Sequence, residues 1–439
     1  MPSLLISVFH LTVAAVRRMD NPARTAILQG MSTDMTYHSD ILVIGGGLNG
    51  ACMALAAAQT GLSVTVIDTL AGGVQSDPAF DGRSYALALT SQRMLAALGL
   101  WTALEHHAQP MLQIKVSDSR VGDSAAFLGL SFDAAEMGDG PMGYMVEDRH
   151  LRASLLSALT ETDGITHRTG ATVVAQNADA TGASVTLSDG EILRARLLIG
   201  ADGRQSGTAT RAGIRRTGWT YRQNALVCAI AHEKPHHGIA HQLFLPPGPL
   251  AILPLTENRS SIVWTETADM ARRITALSDE DYLKVLRPRF GDFLGQISLA
   301  GARYTYPLGL TLANALTAPR LVLVGDAAHG MHPIAGQGLN AGLRDIAALA
   351  HVITHAIQRG EDFASPQVLD RYAEWRRFDT ATLALATDVF NRLFSNDNPI
   401  LRGLRDLGMK MVNAAPDLRR GFMREAAGLS GDLPDLMRR

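Results

Sequence analysis

The stretch that decides the fold is Ile41-Leu42-Val43-Ile44-Gly45-Gly46-Gly47-Leu48-Asn49-Gly50. Four apolar, mostly β-branched residues read as a strand buried on both faces. The strand runs directly into G-x-G-x-x-G, with glycine at 45, 47 and 50. Ala51 to Thr60 then reads as an alanine-rich helix stopped by Gly61. Ser63-Val64-Thr65-Val66-Ile67 is a second strand, and Asp68 stands at its end. Strand, glycine turn, helix, strand and terminal acid form a dinucleotide-binding βαβ unit. Gly45 permits the tight turn, Gly47 lets backbone approach a pyrophosphate, and Gly50 brings helix and sheet together. Leu48 and Asn49 lie in the glycine turn, and the helix that follows has free N–H groups and a positive dipole end that suit phosphate. Asp68 suits ribose hydroxyls and disfavours a 2′-phosphate, so the nucleotide is FAD or NAD. Gly138-Asp139-Gly140-Pro141-Met142-Gly143 fits the same pattern, but it lacks a preceding strand and contains proline, so it reads as a loop.

Composition narrows the class. The chain has 439 residues, enough for two or three domain-sized units and a large core. Hydrophobic residues at 46% against 19% charged exclude a disordered or coiled-coil protein. A net charge of −2 argues against nucleic acid as a partner. The two cysteines, Cys52 and Cys228, make no disulfide scaffold, and Cys52 reads as helix packing. No apolar run is long enough for a transmembrane helix. Residues 1–38 read as an N-terminal extension, disordered or translated from an upstream start, with Met31 or Met35 as the true start.

Two further segments repeat the strand-to-turn pattern. Leu197-Leu198-Ile199 leads into Gly200-Ala201-Asp202-Gly203-Arg204-Gln205-Ser206. Arg320-Leu321-Val322-Leu323-Val324 leads into Gly325-Asp326-Ala327-Ala328-His329, and Pro333-Ile334-Ala335-Gly336-Gln337-Gly338-Leu339-Asn340 then opens a helix. With these three motifs in order, the chain resembles the para-hydroxybenzoate hydroxylase-like flavoprotein monooxygenases. It is similar in particular to the FAD-dependent hydroxylases of ubiquinone biosynthesis, and most like the 2-polyprenyl-6-methoxyphenol hydroxylases. Phe80-Asp81-Gly82-Arg83, Val146-Glu147-Asp148 and Gly248-Pro249-Leu250-Ala251-Ile252-Leu253-Pro254 carry the likeness between the motifs, which spans about residues 39 to 395.

The resemblance implies an α/β (mixed α+β) fold: a Rossmann-like FAD-binding domain with an inserted antiparallel-sheet substrate domain and C-terminal helices. The expected divisions are 39–216 and 303–365 for FAD binding, 217–302 for the substrate sheet and 366–439 for a helical region. It implies FAD as cofactor, NAD(P)H as electron donor and dioxygen as co-substrate, with a flavin C4a-hydroperoxide hydroxylating a polyprenylated phenol. The flavin carries the chemistry, so no catalytic side chain and no metal ligand is expected. Asp326 is expected on the ribityl chain. Pro333, Gly336, Gln337, Gly338, Leu339 and Asn340 are expected along the flavin ring, where the helix dipole contributes about 0.3–1 kcal/mol toward an anionic reduced flavin. Arg83 and Arg152 are expected to contact FAD. Asp202-Gly203 resembles a motif serving FAD and the nicotinamide donor; the arginine usual three residues after the serine is here Ala209, and Arg211 comes two residues late.

Other readings are weaker. His329 and His332 lack a third metal ligand nearby. His232, His236, His237 and His241 read as a solvated turn. Tyr221, Phe244 and Trp264 read as strand aromatics of the core, with pocket lining as the alternative. The four tryptophans are isolated, against the Trp-x-Trp signature of flavin halogenases. A flavoenzyme acting on another aromatic substrate, or a non-catalytic flavoprotein of a biosynthetic complex, remain alternatives. Asn398 to Arg439 reads as a surface helix pair, with a membrane- or partner-facing helix as the sharper option. The expected location is cytoplasmic, with peripheral contact at the inner face of the membrane.

Overall fold

The computed structural model describes residues 37–75, 77, 83–118, 129–331, 337–377, 379, 382, 412 and 415–438. The chain divides into two units, Met1–Tyr37, of which only Tyr37 is described, and His38–Arg439, which holds every element named below. Residues 1–36 of the N-terminal extension, Phe80 to Gly82, His332, Pro333, Gly336 and most of the tail before Pro416 lie outside the described residues.

The strand Ser39–Ile44 sits at the centre of an eight-stranded sheet. It pairs in parallel with Val64–Asp68 on one side and Ile192–Gly200 on the other. Leu321–Leu323 and Ile165–Thr169 extend the parallel array outward. Strands covered on both faces need apolar residues throughout, and Ile41, Leu42 and Val43 are all fully buried. Each such side chain stabilises the fold by about 1.5–3 kcal/mol. The helix Leu48–Ala58 covers one face together with Asp148–Glu161 and Gln337–Gln358. Its alanines at 51, 54 and 57 are buried, and small side chains let the three helices approach closely. Cys52 is buried there too, and burial pushes its thiol up to about 12, so it packs as a hydrophobe.

A second, nine-stranded sheet stands apart from the first. Its centre is the long strand Arg216–His232, paired antiparallel with Arg259–Thr267 and Tyr304–Ala313. The strands of this sheet run beyond 217–302: it includes Tyr304–Ala313 and His329–Gly330, and it also takes Gln113–Asp118 and Leu130–Asp133 from the first half of the chain. Gln113–Asp118 pairs with the free edge of Ile239–Leu245, and Leu130–Asp133 pairs in turn with Gln113–Asp118. Trp264 and Phe244 are buried in this layer; Trp264 donates from Nε1 to Glu266 and lies under the Arg289 guanidinium.

The histidine cluster is not a solvated turn. His232 is buried, with Nδ1 paired to the Lys234 carbonyl and Nε2 to Ser260 Oγ. His236 Nε2 reaches the carbonyls of Leu255 and Glu257. His241 packs on Phe293, and burial, with Lys115 nearby, pushes its pKa down to about 4. His232 and His236 thus pair with backbone carbonyls of their own turn and of the neighbouring hairpin, which sequence composition does not reveal.

Candidate active site

The three glycine-containing motifs meet at the C-terminal ends of the parallel strands, where open α/β sheets bind ligands. Gly45 has φ +99°, and a Cβ there would lie 2.5 Å from the Ala201 carbonyl oxygen, so the first motif is pressed against the second. A Cβ on Gly50 would lie 1.8 Å from the Gly45 carbonyl oxygen. Asn49 links the first motif to the third: its side chain is wedged between Gly325 and Gly342, whose Cβ positions would fall 2.2 and 2.6 Å from its amide atoms. Asn49 Oδ1 is buried without a hydrogen-bond partner.

Gly47 differs from its neighbours. No atom lies within 4 Å of where its Cβ would stand, and it caps the helix Leu48–Ala58 without any side-chain cap. The first-turn N–H groups therefore face open space, as an anion-binding helix start requires. A cleft of about 50 Å³ opens there between Gly46, Gly47, Asp68, Gln75, Arg152 and Leu155. Asp68 is buried, its Oδ2 accepting from Gly46 N–H at 2.6 Å and Oδ1 from Leu70 N–H at 2.7 Å. Each oxygen retains a lone pair for a ribose hydroxyl. Gln75 Oε1 and His167 Nε2 are buried beside this cleft with no hydrogen-bond partner, and burial holds the His167 pKa below the usual histidine value. An open phosphate cradle, a ribose acceptor and orphaned polar atoms fit the adenosine and pyrophosphate half of FAD. Gln75 and His167 carry no motif signal, because they arrive from a short helix and an outer strand.

The remaining residues fall at several places. Arg152 borders the cleft, donating from Nε to Asp148 Oδ2 at 2.8 Å and from Nη1 to the Gln75 carbonyl at 2.7 Å. Asp326 is half-buried and pairs with Arg204 Nε at 3.2 Å, while Arg204 Nη2 donates to the Met331 carbonyl. Arg83 lies between the rings of Tyr85 and Tyr306, at 5.7 and 5.4 Å, and so joins the three-stranded sheet to the nine-stranded one. Gln337 opens the helix Gln337–Gln358; a Cβ on Gly338 would meet nothing within 4 Å, and Leu339 packs on the core.

Two motif residues are committed to local structure. Asn340 Oδ1 accepts from Ala88 N–H at 2.9 Å and Ser91 Oγ at 2.8 Å, and its Nδ2 donates to the Ala86 carbonyl. It thereby ties the third motif's helix to the strand Ser84–Ala88. Asp202 accepts from Ser206 Oγ and, through Oδ2, from both Thr208 N–H and Thr208 Oγ1 at 2.9 Å, holding the turn beyond Gly203. Arg211 is turned away to Gln176 Oε1 at 3.0 Å on a neighbouring strand. Tyr221 is half-buried against Leu310 and Met331 on one side and Ala225 and Val227 on the other.

Sequence comparison agrees with this geometry. The FAD binding domain family matches residues 38–385, well over half of the chain. The ubiquinone hydroxylase UbiL of Rhodospirillum rubrum is 43% identical over 422 residues, covering 95% of this chain and 96% of that one. This chain belongs to the FAD-dependent ubiquinone-hydroxylase family. Other relatives of the hydroxylase are the 3-demethoxyubiquinol 3-hydroxylase of Escherichia coli K12, 34% identical with 89% of this chain and 99% of that one covered, and the human mitochondrial ubiquinone biosynthesis monooxygenase COQ6, 31% identical with 90% and 93% covered. In fold, the hydroxylase matches p-nitrophenol 4-monooxygenase PnpA from Pseudomonas putida DLL-E4 with a TM-score of 0.74, covering 90% of this chain and 99% of that one. At 21% identity that likeness is one of architecture. The protein is an FAD-dependent monooxygenase that takes NAD(P)H and dioxygen as its partners in the reaction.

Proposed function

We propose that this hydroxylase places a hydroxyl group on the ring of a polyprenylated phenol in ubiquinone biosynthesis. The observation that carries the reading is the convergence of three flavin motifs, through Asn49, Gly325 and Gly45, in a chain that aligns end to end with a ubiquinone hydroxylase. FAD, reduced by NAD(P)H, supplies the oxygen-activating chemistry. The chain binds and orients it. Gly45, Gly47, Leu48, Asn49 and Gly50 hold the pyrophosphate on N–H groups, and Asp68 and Asp326 take the ribose and ribityl hydroxyls. Arg152 backs the adenosine cleft, and Arg83 stands at the flavin between the two sheets. Gln337 to Asn340 present backbone to the ring. In this reading 39–216 and 303–365 hold the cofactor, the sheet built around 217–302 covers the substrate, and Tyr372 and Met437 of the region 366–439 pack into the core of the cofactor-binding part. Tyr304 and Tyr306, stacked with centroids 6.4 Å apart on the strand Tyr304–Ala313, offer an aromatic wall for a phenol.

A prenyl tail partitions into lipid, so the substrate is met at the membrane surface. Among the described residues no helix is long and apolar enough to cross a membrane. The helix Pro416–Ala426 exposes Leu418 and Phe422 one turn apart, with Arg419, Arg420 and Arg424 beside them. That pattern suits peripheral contact from the cytoplasmic side. Deleting the gene and identifying accumulated quinone precursors by mass spectrometry tests the reading. A prenylphenol lacking one hydroxyl is expected, and its structure names the ring position, that of 2-polyprenyl-6-methoxyphenol included. Unchanged ubiquinone with no accumulating precursor counts against the substrate.

A further inference from the structure

His351 and His355 stand one turn apart on the helix Gln337–Gln358, and Asp435 opens the terminal turn Asp435–Met437 that packs against it. Asp435 Oδ2 lies 2.8 Å from His351 Nδ1 and 3.3 Å from His355 Nε2. One ligand-type atom from each residue falls within 4.8 Å of the other two. Two ligands at about 2.0–2.1 Å from a tetrahedral Zn²⁺ stand roughly 3.3–3.4 Å apart. The His355–Asp435 spacing already has that value, and the His351–Asp435 spacing needs about half an ångström of opening.

The surroundings hold these groups in place. Met437 is fully buried and Leu436 packs on the same core cluster, so the Asp435 carboxylate is carried by a docked turn. Arg438 Nη1 holds Oδ1 at 3.0 Å and leaves Oδ2 toward the imidazoles, an outer partner of the kind that orients metal-binding carboxylates. The Trp375 ring meets His351 edge-on at 5.2 Å between centroids. The His351 Nδ1 atom is buried and, although close to Oδ2, lacks the alignment of a hydrogen bond. Oδ2 is the polar partner of this buried nitrogen, and a cation placed between the two would be ligated by both.

We propose that His351, His355 and Asp435 form a site for a divalent transition-metal ion of borderline softness, Zn²⁺ foremost, with water as the remaining ligand. Two imidazoles and one carboxylate suit that class. The site lies about 21–27 Å along the helix from its start at Gln337, so the ion is a structural clamp and takes no part in hydroxylation. It fastens the C-terminal turn to the helix that begins at the flavin loop.

The test uses the metal-free full-length protein, titrated with Co²⁺ and followed by visible ligand-field bands, with Zn²⁺ as competitor. One equivalent of Co²⁺ is expected to saturate the bands, and Zn²⁺ to displace it. Asp435→Asn, His351→Gln and His355→Gln are each expected to weaken binding at least tenfold. His237→Ala, at an exposed histidine elsewhere, leaves binding unchanged. Asp435→Asn is isosteric and keeps Met437 docked, so it serves if a histidine variant fails to fold. Zn²⁺ should also slow amide exchange over 429–438 in the wild type and not in Asp435→Asn. Absence of Co²⁺ bands, or equal affinity in wild type and Asp435→Asn, overturns the proposal.

Discussion

His329 Nε2 lies 2.6 Å from Asp345 Oδ2, and both side chains are fully buried. The same oxygen accepts from Gly325 N–H at 2.9 Å, while Oδ1 accepts from Arg376 Nε at 2.8 Å. Arg376 in turn donates to Asp379 at 2.6 Å. A single carboxylate thus ties the Gly-Asp turn to the long helix and to the segment after it. Burial opposes every charge in this group, yet the mutual attraction prevails: it holds Asp345 below the usual carboxylate range and His329 above the usual histidine value. Asp326 is the residue next to Gly325, so this network sets where Asp326, the proposed ribityl acceptor, stands.

Asp345→Asn is therefore expected to cost about 3–5 kcal/mol of stability, because it leaves the buried Arg376 guanidinium under-compensated. Urea unfolding with the flavin removed measures this directly. Asp345→Asn should also loosen FAD, since Gly325 loses its anchor.

Two glycines separate folding from cofactor binding. Gly50→Ala forces a Cβ into the Gly45 carbonyl and is expected to destabilise the protein even without flavin. Gly47→Ala meets no protein atom and its φ of −67° suits any residue, so stability of the flavin-free protein should be unchanged. Its methyl group fills the phosphate cradle, and FAD affinity is expected to fall at least tenfold. Equal flavin affinity in Gly47→Ala would place the pyrophosphate elsewhere.

Asp326 pairs with Arg204, but both side chains are more than a third exposed. An ion pair of this kind contributes about 0–1 kcal/mol. Asp326→Asn is expected to leave the unfolding midpoint nearly unchanged while weakening FAD, as followed by flavin fluorescence.

The pH dependence comes from His241, whose folded pKa near 4 lies below its ordinary value. The unfolded chain binds this proton more readily, so stability is complete above about pH 6.5 and falls as pH drops toward 4. His241→Gln should flatten that acid limb in urea titrations between those values. His329 has the opposite sign: its raised pKa contributes stability at low pH that is lost as pH rises through the folded value.

Legibility in the sequence depends on how far apart the partners lie along the chain. Gly45 to Asp68 is legible because turn, helix and strand are built from neighbours whose spacing is itself the signal. The joining of the motifs is not: Asn49 meets Gly325 and Gly342, and Asp345 meets Arg376, only after the sheet has assembled. Asn340 belongs to a stretch resembling a flavin contact, yet its side chain is spent on Ala86, Ala88 and Ser91, partners some 250 positions away. His232 and His236 look solvent-exposed beside Lys234-Pro235, because nothing local announces the carbonyls and hydroxyl they satisfy. The strands 113–118 and 130–133, which extend the second sheet past Ile239–Leu245, escape for the same reason, since an edge is covered by whichever segment the topology brings there.

The most direct test of the central claim is to supply the purified FAD-loaded protein with NAD(P)H, a polyprenylated phenol and ¹⁸O-labelled dioxygen, and to weigh the product. The account predicts a phenol heavier by a single ¹⁸O atom, with NAD(P)H oxidation stimulated by the substrate. NAD(P)H oxidation indifferent to the phenol, with no label in the ring, would contradict it.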